Sequence, residues 1–332
     1  MVLSDATVPT LTAVRSGSSG KLGDQVFAGL ALGAALLVLA LLGSIIVILF
    51  IGGWPAFKAF GPGFVTSMEW NPNAGTQTDD GPLGIYGAGV PIYGTLITSV
   101  LALLLAVPMA FGVAFFLTEL APQWMRRPVG TAIELLAAVP SIIYGMWGFF
   151  VIKPWIAADF ETPLVHACAH IPVLNKIFAG GTDGYGIFTA SLILAVMVLP
   201  FIAATMRDVF LTVPVVYKES AYGVGCTTWE VVRSVVLPYT KTAVVGGIML
   251  GLGRALGETM AVTFVIGGAT SIVPGLFSGG NTIASMVALQ FPEAESGSLK
   301  LASLLALGFI LFVISFIVLA VSRLMLRPKF KE

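Results

Sequence analysis

Six stretches of this sequence, at 26–51, 92–117, 129–152, 185–205, 242–268 and 299–322, are predominantly apolar and long enough to cross a bilayer. A helix of roughly 20 apolar residues spans ~30 Å of hydrocarbon, so the chain reads as an all-α polytopic membrane protein with six transmembrane helices. Backbone groups in lipid need partners within their own segment, and no barrel-type alternation is present. With 57% hydrophobic and only 10% charged residues, an ordinary soluble domain is excluded.

The first run exceeds the ~7 to 15 residues of a secretory-signal core and reads as a retained anchor. Residues 1–25, rich in Ser, Thr and Gly, read as a flexible tail. Starting with the N-terminus inside, the inner segments hold Arg15, Lys21, Arg126, Arg127, Arg207, Lys218, Arg233, Lys241, Arg323, Arg327, Lys329 and Lys331. The outer ones hold Lys58, Lys153, Lys176 and Lys300, and twelve cations against four put both termini in the cytoplasm.

The 17 basic and 17 acidic residues cancel, which gives no reason to expect nucleic acid as a partner. Cys168 falls in an outer connection and Cys226 in an inner one, too far apart to pair. No connection is long enough for a soluble catalytic domain. A phosphate-binding glycine loop is also missing: at Gly20-Lys21, Arg15 stands where the first glycine belongs and Leu22 where Ser or Thr belongs. Any nucleotide chemistry therefore belongs to another chain, and this one is not expected to be an enzyme.

The inner stretch KESAYGVGCTTWEVVRSVVLPYTK mixes small, acidic, aromatic and apolar residues in a way that predicts structure. A short helix is expected over Glu219, Ser220, Ala221 and Tyr222, with Glu219 in its first turn at the positive dipole end. Gly223 and Gly225 break it, and Thr227 or Thr228 can cap a second helix near Trp229. A short exposed helix flanked by glycines fits a partner's groove.

Glu219, Ala221, Gly225, Val235, Leu237 and Pro238 match the E-A-A-x3-G-x9-I-x-L-P loop of ABC importer permeases, with Ser220 for the second residue and Val235 for Ile. On these residues the chain resembles that family. The resemblance implies a coupling helix that inserts into a cleft of a cytoplasmic ATP-binding subunit, which would hold ATP and Mg, and a six-helix core of the type I, MetI-like architecture.

Inside the fifth run, GRALGETMAV carries Arg254 and Glu258. Arg254 follows Thr242 by about twelve residues, or ~18 Å of helix, near the bilayer midplane, with Glu258 one turn further along the same face. A charge at that depth costs ~2.5–3.5 kcal/mol and should face the bundle interior or a wet cavity. A guanidinium fork meets an anion with several oxygens, such as phosphate, bidentately. Glu258 would hold the arginine between anions. The spacings Gly247-x3-Gly251 and Gly253-x3-Gly257 allow close helix packing, expected against the equivalent helix of a second permease.

GLGRALGETMAV, ELLAAVPSIIYG, FFLTELAP and ASLILAVMVLPFI are similar to the permease subunits of bacterial phosphate-specific importers. The likeness spans about 85–325. It divides the chain into a tail (1–25), a first transmembrane helix with its outer loop (26–84), a permease core (85–325) with the coupling loop at about 207–241, and a C-terminal tail (326–332). It implies a permease in a prokaryotic cytoplasmic membrane that moves inorganic phosphate into the cell by alternating access. Its implied partners are a second homologous permease, an ATPase dimer and an extracytoplasmic phosphate-binding protein. In that family the Arg and Glu of the fifth-span motif are implicated in phosphate movement, which maps onto Arg254 and Glu258.

Glu134, near the inner end of the third run, is a further pathway candidate that could contact the coupling loop or a basic residue of the fourth or fifth span. Glu119 reads as a solvated interfacial partner of Arg126 and Arg127. Pro108, Pro140 and Pro200 predict bends. His166 and His170 flank Cys168 at a spacing that suggests zinc, but only three groups are present and Cys168 falls on another helical face, so no metal is expected. An ion-coupled secondary anion transporter, or a permease-like subunit for another oxyanion, could also keep Arg and Glu midspan, the former without need of the coupling loop.

Overall fold

The computed structural model of the chain describes residues 18–325, apart from 75, 76, 79, 80, 83, 169 and 272–274; the tails expected before residue 18 and after 325 lie outside the described residues. Six helices are long and apolar enough to cross a membrane: Gly23–Phe60, Gly89–Leu120, Ser141–Cys168, Ile187–Leu211, Thr228–Leu256 and Leu299–Leu324. The first helix already begins at Ser18, so residues 18–25 extend it and are not part of a flexible tail. Once nucleated by a strongly apolar run, a helix propagates through less favourable neighbours.

Residues up to Ile48 form one compact unit and those from Leu49 a second. Within the first, the Val, Leu and Phe side chains are exposed all round the helix, a surface suited to hydrocarbon. In the second unit the fourth helix is the axis: 67% of its apolar window is buried, against 28% or less for the other spans there. The second helix meets it with Thr98, Ala102, Ala106, Ala110 and Ala114, each at most 1% exposed. Four-residue spacing holds these on one face, and their small side chains let the two helices approach closely.

The fifth helix packs on the same axis. An added Cβ at Gly251 would lie 2.7 Å from Ile202 Cγ1, and one at Gly247 would lie 2.8 Å from Thr205 Cγ2. This first glycine pair is therefore spent inside the chain, which corrects the expectation that it faces a second permease. Of the second pair, Gly253 faces Leu319 of the last span, where an added Cβ would lie 3.9 Å from Leu319 Cδ2, while Gly257 meets only its own helix's carbonyls and borders an open face. Gly251→Leu would overpack this contact and is expected to cost ~1–3 kcal/mol. A lowered melting temperature of the purified protein checks it, and an unchanged one contradicts the packing.

Two spans differ from expectation. The run at 129–152 turns at Ala138–Pro140, between the helix Gln123–Ala137 and the helix that opens at Ser141. Pro140 is extended (ψ 135°), and proline disfavours helical backbone in the residue before it, so the third span lies further along, at Ser141–Cys168. The stretch 153–168, expected in an outer connection, instead continues the helix of the third span, with π-turns at Gly148–Ile152 and Ile156–Glu161. Likewise the fifth run is not continuous to 268. Its helix ends at Leu256, and a single turn, Met260–Thr263, follows.

A smaller core gathers Phe64, Trp70, Tyr86, Ile283, Met286 and Leu307. There the two-residue strands Trp70–Asn71 and Ile85–Tyr86 pair antiparallel, and the Trp70 indole N–H donates to Gln290 Oε1 at 2.9 Å.

Candidate functional site

Arg254 occupies the last turn of the helix Leu237–Leu256, where the negative dipole end favours a cation. Its guanidinium carbon stands 5.8 Å from the ring centroid of Phe201, midway along the fourth helix. Such a contact is attractive through the ring quadrupole and places the charge beside the middle of the fourth span, although Arg254 is in the last turn of its own. Tyr144, at the start of the third span, lies within electrostatic reach of Arg254 and donates its hydroxyl to Leu136 O at 2.9 Å. Among the described residues, Arg254 has no carboxylate partner.

Glu258 does not hold Arg254. Because the helix stops at Gly257, Glu258 is off the arginine's face, and its Oε1 accepts the Ala261 N–H at 3.2 Å. The carboxylate thus supports the turn Met260–Thr263. This break seats the third span: an added Cβ at Gly145 would lie 2.7 Å from Phe264 Cδ2 and 3.0 Å from Ala261 Cα. Leu250, Gly257 and Met260 are exposed around Arg254, so the guanidinium borders an open face of the single chain.

Glu134 lies apart from Arg254, in the last turns of the helix Gln123–Ala137. Its Oε1 meets Arg207 Nη2 at 2.5 Å, and Arg207 also meets Asp208 Oδ1 at 2.7 Å. Of the contacts foreseen for Glu134, the structure has the one to a basic residue of the fourth span. Gly130 leaves the room in which the Arg207 guanidinium lies.

The loop expected to couple to an ATPase forms the helix Val215–Gly223, longer than expected, so Glu219 sits mid-helix and not in the first turn. Pro214 precedes that helix and moves its start four residues upstream of Glu219. Gly225 adopts φ +93°, and the Cys226 N–H donates back to Ala221 O at 3.2 Å. Thr227 caps the next helix in a capping box with Glu230. Glu219, Ala221 and Gly225 are thereby brought into one protruding knob with Tyr217 and Val224 exposed on it. Leu237 and Pro238 lie outside the knob, inside the fifth span Thr228–Leu256, where the π-turn Val232–Val236 passes into regular α-helix.

Two contacts that sequence reasoning missed tie the knob to the membrane helices. Lys218 Nζ meets Glu119 Oε1 at 2.6 Å, with side chains only 15% and 6% exposed. Glu119 is therefore a buried partner of the helix Val215–Gly223, not a solvated neighbour of Arg126 and Arg127; it sits on the π-turn Phe116–Leu120. Trp229 packs edge to face on Phe111 and Phe115 at 6.4 and 6.0 Å. A carboxylate ending a long apolar run was the available signal. Lys218→Met would leave Glu119 buried and uncompensated, at an expected cost of ~3–5 kcal/mol. Thermal unfolding of the purified complex checks this, with restoration by the reversed pair Glu119→Lys/Lys218→Glu.

His166 and His170 are exposed, and among the described residues no cluster of three His, Cys, Asp or Glu could hold a metal. Cys168, which closes the third span, and Cys226 are free thiols. Glu161 is fully buried in the third span, with Oε2 accepting the Gly184 N–H at 2.9 Å.

The family profile described as "Binding-protein-dependent transport system inner membrane component" matches residues 106–330. The phosphate transport system permease protein PstC of Pasteurella multocida is 55% identical over 292 residues, covering 88% of each chain. That of Mesorhizobium japonicum is 52% identical over 327 residues, covering 97% of each. PstC 1 of Mycobacterium tuberculosis is 38% identical over 94% of this chain and 95% of its own. Among solved structures, a bacterial ABC transporter importing the acidic polysaccharide alginate matches with TM-score 0.55 at 17% identity, over 94% of this chain and 100% of that one. A chain of the MetNI methionine ABC transporter matches with TM-score 0.51 at 17% identity, over 71% and 92%.

Proposed function

The chain belongs to the binding-protein-dependent transport system inner membrane component family, and from that premise we propose that it is the permease subunit of an ATP-driven importer that carries inorganic phosphate into the cell. It is a multi-pass membrane transport component with a MetI-like fold. The observation that carries phosphate as cargo is the guanidinium of Arg254, which stands beside Phe201 in the middle of the fourth span and has no carboxylate partner among the described residues. Relatives at 55% and 52% identity named as phosphate permeases support the same cargo.

In this reading a second, homologous permease covers the open face at Leu250, Arg254 and Gly257, and phosphate passes between the two. Arg254 offers weak, exchangeable contacts, as conduction requires. Glu258 acts indirectly, through the break that positions the arginine, and Glu134 through Arg207. The core of the unit runs over 85–325, with both termini on the cytoplasmic side. An ATPase dimer takes the knob at Glu219, Ala221 and Gly225, binds ATP and Mg, and supplies all catalysis, so this chain holds no cofactor and hydrolyses nothing. A phosphate-binding protein delivers the anion from outside, and closure of the ATPase dimer rocks the permease pair by rigid-body motion.

Uptake of labelled phosphate into proteoliposomes tests this. The complete complex should accumulate phosphate only with ATP and binding protein present, and omission of this chain should abolish it. Uptake by the purified chain alone along an ion gradient would overturn the proposal in favour of a secondary transporter.

A further inference from the structure

Beside the coupling loop lies a cavity of about 340 Å³ whose lining includes Arg126, Arg127, Thr131, Glu134, Arg207 and Leu211. A second hollow, bounded by Gln123 and Trp124, shares the two adjacent arginines with it. Arg207 is already committed to Glu134 and Asp208, so the unbalanced charge comes from Arg126 and Arg127. Arg126 uses only its Nε, donating to Ala121 O at 2.8 Å, and Arg127 makes no hydrogen bond or ion pair among the described residues. Both guanidinium ends are therefore free to bind. A preference for cations on one side of the membrane explains their presence, but not a cavity between helices with a threonine hydroxyl on its wall.

The surroundings specify the ligand's chemistry. The helix Gln123–Ala137 begins three residues after the second span ends at Leu120, and Arg207 and Leu211 close the fourth span at the same level. Trp124 is 75% exposed at the mouth, the position of an aromatic anchor at headgroup depth. Guanidinium forks with an adjacent hydroxyl suit a phosphoryl oxyanion, and an apolar rim suits what is attached to it. We propose that this cavity binds the phosphodiester headgroup of an anionic phospholipid, with Arg126 and Arg127 on the phosphate oxygens and Thr131 beside them. Lipid bound there would brace the helix that carries Glu134 against the end of the fourth span.

The site goes beyond the transport reading and does not depend on it. Its test is lipid retention by the complete complex in nanodiscs of phosphatidylcholine with a minority of phosphatidylglycerol, read by native mass spectrometry and by titration of labelled phosphatidylglycerol. Wild type should retain phosphatidylglycerol preferentially. Arg127→Gln, which breaks no bond of the fold, should weaken it about fivefold, and Arg126→Gln/Arg127→Gln roughly 25-fold. Equal retention by wild type and the double variant would overturn the site. Full displacement of the lipid by inorganic phosphate would overturn its assignment to a headgroup and give it to the free anion. Phosphate uptake measured on the same samples separates either failure from a failure of the transport reading.

Discussion

Arg254→Gln is expected to abolish phosphate uptake while the complex assembles normally. The guanidinium offers several charge-assisted donors that glutamine cannot replace, and losing such contacts costs ~2–5 kcal/mol. That is roughly a 30-fold to several-thousand-fold loss. Stability should change little: among the described residues Arg254 has no ion pair to break, and its contact with the Phe201 ring at a wet site contributes only ~0.5–1 kcal/mol, so the melting temperature should nearly hold. Arg254→Lys should fall between, since it keeps the charge and loses the fork. Wild-type uptake by the glutamine variant would remove the arginine from the pathway.

Gly225→Val is expected to uncouple transport from ATP hydrolysis. At φ +93° a β-branched residue is strained by ~1–3 kcal/mol, so the turn that ends the knob must reshape. A Cβ there meets nothing within 4 Å in this chain, so the effect is confined to backbone shape and to whatever docks on it. Gly223→Ala is the control. It too has open space, but Gly223 is an ordinary helical residue. Phosphate moved per ATP hydrolysed should drop severalfold for Gly225→Val and stay unchanged for Gly223→Ala, with both inserted in the membrane alike. Unchanged coupling in the valine variant would count against the knob as the docking element.

The features of the chain legible in its sequence are those written in local chemistry. Apolar runs of sufficient length mark the spans. The capping box at Thr227 follows from Ser/Thr and Glu three apart. Breaks were harder to see. Residues 242–268 are apolar enough to be one helix, and the break rests on a tertiary contact, Gly145 on Ala261, together with a local one, the Glu258 carboxylate accepting the Ala261 N–H three residues on. Helical spacing then misplaces Glu258, because a face is defined only while the helix continues. The pairs Glu119–Lys218 and Glu134–Arg207 join residues far apart in sequence, and no periodicity announces such partners. Conversely, 153–168 is expected in an outer connection, but Lys153 lies over the Tyr185 ring at 3.4 Å and Glu161 binds Gly184, so tertiary contacts satisfy these charges within a helix.

The central claim is that Arg254 faces a water-filled route and not lipid. The direct measurement replaces Cys168 and Cys226 by serine, introduces Arg254→Cys in the assembled complex, and exposes it to aminoethyl methanethiosulfonate, which reacts from water and leaves an ammonium on the thiol. The account predicts that this inactive variant is modified and regains part of its phosphate uptake. A thiol at 254 that stays unmodified, while Cys226 in the parent complex reacts, would contradict it.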